Sequence, residues 1–76
     1  MSTIDKLAEK LADDVFKAQD ETGNDRLFVE IGNVLAAASQ TLEEAFLTEC
    51  RVRLAEQKAR AALEAKLATH RASAES

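Results

Sequence analysis

The stretch TGND, residues 22–25, separates two helical patterns of unequal length and decides how the chain folds. Gly23 suits the left-handed residue that ends a helix, and either polar residue after it can cap the next helix. A turn this short makes neighbouring helices antiparallel. The sequence therefore predicts an all-α hairpin, with a short helix over about residues 3–21 and a long helix over about residues 25–71.

The short helix has one apolar face. Its apolar residues recur every three or four positions, which is typical of a helix that packs one face against a core. Ser2 or Thr3 can cap its first turn, and Asp5 stands where it can complete a capping box with Ser2. The predicted core-facing residues are Ile4, Leu7, Ala8, Leu11, Val15 and Ala18.

The long helix begins with a similar apolar face. Gly32, followed by the small residues 36–38, either marks a close approach of another backbone or is an incidental exposed glycine. No Gly or Pro interrupts the pattern, but residues 41–44 resemble a capping box, so a break near Ser39–Thr41 is the alternative. The apolar face comprises Leu27, Phe28, Ile31, Val34, Leu35, Ala38, Leu42, Ala45 and Phe46.

Beyond Phe46 the long helix changes character. Charged residues continue the line of the apolar face, and the apolar side chains lie on its two flanks. The short helix ends too early to cover this part, so we expect another copy of the chain, or another protein, to cover it. The predicted self-association seam comprises Phe46, Leu47, Cys50, Val52, Leu54, Leu63 and Leu67.

The charge distribution favours one orientation of two copies. Residues 1–24 and 25–50 carry net charges of −3 and −4, whereas residues 51–76 carry +3. In an antiparallel pair the basic end of each long helix lies along the acidic hairpin of the other copy. The sequence predicts an antiparallel homodimer with a coiled-coil-like four-helix centre, with a tetramer as the next choice.

The size of the chain also favours association. Its 76 residues, 46% of them hydrophobic and none of them Pro, Trp or Tyr, make a single small domain. A core of this size barely offsets the conformational entropy lost on folding, and the chain has no second cysteine for a disulfide. We predict one domain over residues 1–71 and a frayed tail over residues 72–76.

Residue types that carry chemistry are sparse. His70 lies 20 residues after Cys50 on the same predicted helix, about 30 Å away, so the two cannot form a nucleophile and base within one chain. The spacings typical of metal ligands and the Gly-rich loops that hold phosphates are missing. We therefore expect no catalytic activity, no metal and no cofactor.

Six basic side chains near the C-terminus suggest an alternative function, nucleic-acid binding. Against it, the chain is acidic, with an isoelectric point near 4.9, and Glu49–Arg53 and Glu56–Arg60 have the spacing of ion pairs on one helix. The preferred function is a non-catalytic adaptor or structural protein that associates with itself. The alternative nucleic-acid contacts are Arg51, Arg53, Lys58, Arg60, Lys66 and Arg71.

The expected cellular location follows from the absence of a signal-peptide pattern and of a membrane-spanning pattern in the sequence. The first six residues do not resemble a signal peptide, and no window approaches 18 consecutive apolar residues. One unpaired cysteine is usual in a reducing compartment. We expect a cytoplasmic protein without membrane contact, and no motif is specific enough to indicate a family.

Overall fold

The computed structural model describes residues 2–75, and they form three α-helices and no strand. These are α1 (Thr3–Thr22), α2 (Leu27–Ala38) and α3 (Gln40–Glu75). The prediction of an all-α chain is confirmed. Met1 and Ser76, which belong to the predicted domain over 1–71 and tail over 72–76, lie outside the described residues.

The ends of α1 follow the sequence closely. The hydroxyl of Ser2 accepts a hydrogen bond from the Asp5 backbone N–H at 3.1 Å, which satisfies one free donor of the first turn. Gly23 ends the helix in the left-handed conformation, with φ of 72°, and its N–H donates to the Gln19 carbonyl at 2.8 Å. Both predictions, the cap at Ser2 and the glycine that ends the helix, are confirmed.

Two side chains accept hydrogen bonds at the start of α2. Arg26 precedes its first residue without a side-chain cap, and Asn24, one of the two expected caps, accepts from the Arg26 N–H at 3.1 Å in the turn before the helix. The side-chain oxygen of Gln19 accepts from the Phe28 N–H at 3.0 Å, and Gln19 is nearly buried. A buried amide of α1 thus satisfies the first turn of α2 and ties the two helices together.

The predicted continuous helix over residues 25–71 was wrong, and the alternative break is correct. The chain breaks at Ser39, which is extended, with φ of −159° and ψ of 107°. Its N–H donates to the Leu35 carbonyl at 2.7 Å, and its hydroxyl accepts from the Leu42 N–H at 3.2 Å. One residue therefore closes α2 and caps α3, and the cap is Ser39 rather than Thr41.

The break lets the chain turn back on itself, so α1 and α3 run parallel and α2 runs antiparallel to both. Arg53 contacts Asp13, and Phe16 stacks on Phe28 with ring centroids 6.5 Å apart. Gly32 is buried against Leu47, so the alternative of an incidental exposed glycine was wrong. The break is favoured because it places the apolar start of α3 against α1 and α2.

The core is small. Its buried apolar residues are Ala8, Ala12, Val15, Phe46 and Cys50, and only the last two are large and fully buried. α1 buries the side that carries Ala12 and Gln19 instead of the whole predicted face. The positions predicted to face the core but found exposed are Ile4 (37%), Leu7 (54%), Val34 (67%) and the small residue Ala38.

Candidate interaction surface

The two halves of α3 have different surroundings. Residues 40–54 pack against α1 and α2, whereas every residue from 55 to 75 is exposed. At 1.5 Å per residue, this bare half of α3 (residues 55–75) extends about 31 Å along the helix. The molecule is accordingly elongated, with principal extents of 57, 30 and 14 Å.

The accessible surface of the chain is large for its mass. It amounts to 5711 Å², whereas a folded monomer of 8.3 kDa is expected to expose about 4,600 Å². The excess, roughly 1,100 Å², exceeds the ~800 Å² that each partner contributes to a typical protein–protein interface. The surface that this fold leaves open is therefore large enough for one interface.

The structure divides the predicted self-association seam. Phe46 and Cys50 are fully buried under α1 and α2, so they are covered within the chain. Leu47 is half-buried against Gly32, and Leu54 is half-buried at the end of the packed half. The other three stay exposed, namely Val52 (61%), Leu63 (55%) and Leu67 (39%). The role of the seam in self-association remains a prediction, with these three as its accessible part.

Arg53 connects α3 to α1. Its guanidinium donates to a carboxylate oxygen of Asp13 and, at 3.2 Å, to the backbone carbonyl of Glu9. Its Nε lies 3.7 Å from a carboxylate oxygen of Glu49 on its own helix. The hydrogen bond and charge of Arg53 lower the pKa of Asp13, and Asp13 in turn raises the pKa of Arg53. Among the sequence-predicted basic contacts, Arg53 thus serves the fold.

The other basic side chains of α3 are exposed. Arg60 pairs with Glu56 at 2.7 Å, one turn away on the same helix, as the spacing predicts. The rest project into solvent along α3, namely Arg51, Lys58, Lys66 and Arg71. Their proposed contact with nucleic acid stays a prediction.

A groove of about 480 Å³ runs between the starts of α1 and α3. Its apolar lining consists of Ile4, Ala8 and Ala45, and three carboxylates also line it. The carboxylates belong to Asp5, Glu44 and Glu49, and among residues 2–75 no basic side chain lines the groove. A groove with an apolar lining and three carboxylates is complementary to a helix that presents apolar residues flanked by basic ones.

The residues that could carry chemistry are far apart. Cys50 is buried, and desolvation raises the pKa of its thiol, which makes the reactive thiolate scarcer. His70 is exposed on the bare half of α3. Among residues 2–75, no group of three or more His, Cys, Asp or Glu side chains could hold a metal ion. Within the same range, no helix is long and apolar enough to cross a membrane.

Two buried positions of α1 escape the sequence reasoning. Ala12 is fully buried and Gln19 nearly so, although neither belongs to the apolar face read from the larger residues. The signal that could have found them is the spacing 8, 12, 15 and 19, which keeps one side of a helix. A polar residue on that side, one turn before a helix end, is a candidate cap for the neighbouring helix.

Comparison with known proteins finds no relative: neither a protein-family model, nor a curated protein, nor a solved structure matches the chain.

Proposed function

We propose that this chain is a small non-catalytic protein-interaction protein, an adaptor or structural element that acts by associating with itself. The observation that carries the proposal is the bare half of α3. A helix without tertiary contacts is marginal in water, because most helical stability in proteins comes from the packing of an apolar face. Here 21 consecutive residues, 55–75, lack such packing while they present Leu63 and Leu67.

The energetics point the same way. With only two large side chains fully buried, the three-helix fold gains little from burial within one chain. A second copy would add apolar contacts to α3, and obligate association of this kind makes stability depend on protein concentration. We propose a homodimer with antiparallel long helices, and a tetramer as the next assembly. The cytoplasm is the proposed compartment, since the single cysteine is free and buried.

The solution mass by light scattering tests this proposal directly. We expect twice the 8.3 kDa mass of the chain at micromolar concentration, with weaker association at high salt, because charge selects the orientation. A folded monomer at all concentrations would overturn the proposal. Another protein would then have to cover α3.

Two exposed valines provide a matched pair of variants. Val52 is 61% exposed on α3, and Val34 is 67% exposed on α2. We expect Val52→Asp to shift the mass toward the monomer, because a buried carboxylate in the interface is costly. Val34→Asp introduces the same charge on another helix and should leave the mass unchanged. Equal effects of both substitutions would argue against an interface on α3.

A further inference from the structure

The exposed side of α3 carries a continuous row of small and apolar residues across both its halves. Successive members are separated by three or four positions, so they share one side of the helix. Most of them are small, which allows another helix to approach closely. The row, which we call the α3 row, comprises Thr41, Ala45, Thr48, Val52, Ala55, Ala59 and Leu63.

The first part of the α3 row lies in the acidic groove. Thr41, Ala45 and Thr48 line the groove together with the start of α1, so a helix seated there contacts both α1 and α3. The later part of the row, from Ala55 to Leu63, lies on the bare half and is exposed. One end of the α3 row therefore lines a groove that could receive a helix, and the other end lies on the uncovered bare half of α3.

The charges of the two parts of the chain are opposite in sign. Residues 2–54 carry eleven acidic and six basic side chains, whereas residues 55–75 carry three acidic and four basic ones. The three carboxylates around the groove belong to the acidic part. A second copy of the bare half thus complements the groove, whereas a strongly acidic partner would be repelled by it.

We propose that the bare half of α3 from a second copy lies antiparallel in the groove between α1 and α3. This inference rests on the proposed function and specifies its partner and register. The two-fold axis passes close to Ala55 and Glu56, near the midpoint of α3, which runs from Gln40 to Glu75. The bare half of each copy then covers the packed half of the other. One isologous interface therefore covers the bare half and the groove of both copies.

The register follows from laying the α3 row on itself in the opposite direction. Thr48 then stands opposite Leu63 of the second copy. In this register Lys66 of the second copy lies one position from the residue opposite Glu44, and Arg60 lies two positions from the residue opposite Glu49, so both long basic side chains can reach a carboxylate. A parallel pairing would instead place the two bare halves together and leave the grooves without an occupant. The area available, roughly 1,100 Å² per chain beyond that of a compact monomer, is sufficient for the antiparallel contact.

A disulfide formed between two engineered cysteines tests this register. In a Cys50→Ala background, Thr48→Cys and Leu63→Cys together should give a covalent dimer when treated with oxidised glutathione. The two positions are 15 residues apart on one helix, about 22 Å, so the bond cannot form within a chain. Both side chains are exposed, so the substitutions leave the core intact.

The single variants are the matched controls. Thr48→Cys alone and Leu63→Cys alone should stay uncrosslinked, because each antiparallel copy keeps like positions far apart. Cross-linking by Leu63→Cys alone would show a parallel pair and overturn the inference while leaving the proposed function intact. A dimer by light scattering that no variant cross-links would overturn the register in the same way. A monomer by light scattering would overturn both proposals.

Charge reversal gives a second, independent measurement. We expect Lys66→Glu to raise the dimer dissociation constant roughly 10-fold, because the repulsion with Glu44 occurs twice in the dimer. Adding Glu44→Lys should restore most of the affinity, since the pair is then reversed. Lys17→Glu, the same change on α1 outside the groove, should have little effect. A failure of Glu44→Lys to rescue Lys66→Glu would contradict this pairing.

Discussion

Arg53 shows how one side chain can join two helices whose apolar contact is limited. It reaches from α3 to the carboxylate of Asp13 and to the backbone carbonyl of Glu9, one turn earlier on α1. The planar guanidinium can donate in both directions at once, which a lysine ammonium cannot do with the same geometry. At this residue, charge fixes the parallel alignment of α1 and α3, while burial of Phe46 and Cys50 supplies the contact.

The Arg53–Asp13 pair predicts a dependence of stability on acidity. Because Arg53 lowers the pKa of Asp13 in the folded chain, the pair stabilises the fold above the ordinary aspartate pKa, about 4. That contribution is lost as the pH falls through the lowered pKa of the folded state. We expect the gap in unfolding free energy between wild type and Asp13→Asn to close between about pH 5 and pH 2.

Urea unfolding at several pH values measures this gap. Asp14→Asn is the matched control, since Asp14 pairs with Lys10 on its own helix and joins no second element. Its effect should vary less with pH. A gap for Asp13→Asn that stays constant down to pH 2 would contradict the role assigned to Arg53.

Gly32 gives a second prediction at the residue scale. A Cβ at this position would lie 3.1 Å from the Leu47 Cδ2 atom, which is the end of a flexible side chain. For Gly32→Ala we expect little net change, because the helix propensity gained, about 1 kcal/mol, offsets the tight contact. Gly32→Val should destabilise by about 1–3 kcal/mol through overpacking. Thermal unfolding measures both, and equal stability of the two variants would show that α2 and α3 are not closely packed there.

Single residues were predictable where the backbone requires a special residue. Gly23 adopts a positive φ, and Ser2 caps a helix with a free N–H three residues later, so local chemistry decided both. Gln19 was not predictable in the same way, because its burial depends on the Phe28 N–H that reaches it from another helix. A polar side chain in a helix is ordinarily expected at the surface, so burial of one that caps a neighbouring helix depends on contacts distant in sequence.

Among the elements, the break between α2 and α3 depends on one side chain. Ser39 caps α3, and we expect Ser39→Ala to lower the unfolding free energy by about 1 kcal/mol. The substitution removes the hydroxyl that accepts from the Leu42 N–H, and it favours continuation of α2 into α3. Thr41→Ala, at the position that the sequence favoured as a cap, should have little effect because Thr41 lies inside α3. Urea unfolding of the two variants makes the comparison, and a larger loss for Thr41→Ala would contradict this assignment.

The continuous long helix was a wrong prediction with a clear physical reason. Local propensity around Ser39 permits a helix, since Gly and Pro are missing from residues 33–54. Tertiary packing decides instead, because only a broken helix brings Phe46 and Cys50 against α1. The start and end of α1, by contrast, are set by residues within a few positions of each end, and they were predicted within one residue.

For the whole molecule, the unequal covering of α3 predicts unequal protection from hydrogen exchange. The buried core lies within residues 2–54, whereas every residue from 55 to 75 is exposed. If a second copy covers the bare half as proposed, amide protection there should rise with protein concentration, while protection in the three-helix part changes less. Hydrogen exchange at two concentrations, read by mass spectrometry, makes the measurement. Fast exchange of residues 55–75 at every concentration would contradict self-association through this helix.

The candidate surface could be predicted only in part. The apolar residues beyond Phe46 indicated that the long helix extends past the end of α1. In the structure, the packed half of α3 ends near Leu54. The difference arises because α1 runs parallel to α3 after the break, so it accompanies α3 as far as Arg53. The acidic groove could not be read from the sequence, since it forms between residues about 40 positions apart.

The position of the single thiol, Cys50, allows its chemical labelling to measure opening of the packed helices. Cys50 is fully buried under α1 and α2, in the half of α3 that packs within the chain. An alkylating reagent can therefore reach its sulfur only after the packing of α1 and α2 against α3 has opened. The rate of labelling in the native state measures how often the three-helix part opens, without any added probe. Since Cys50 lies apart from residues 55–75, the same label separates internal opening from dissociation of the copies.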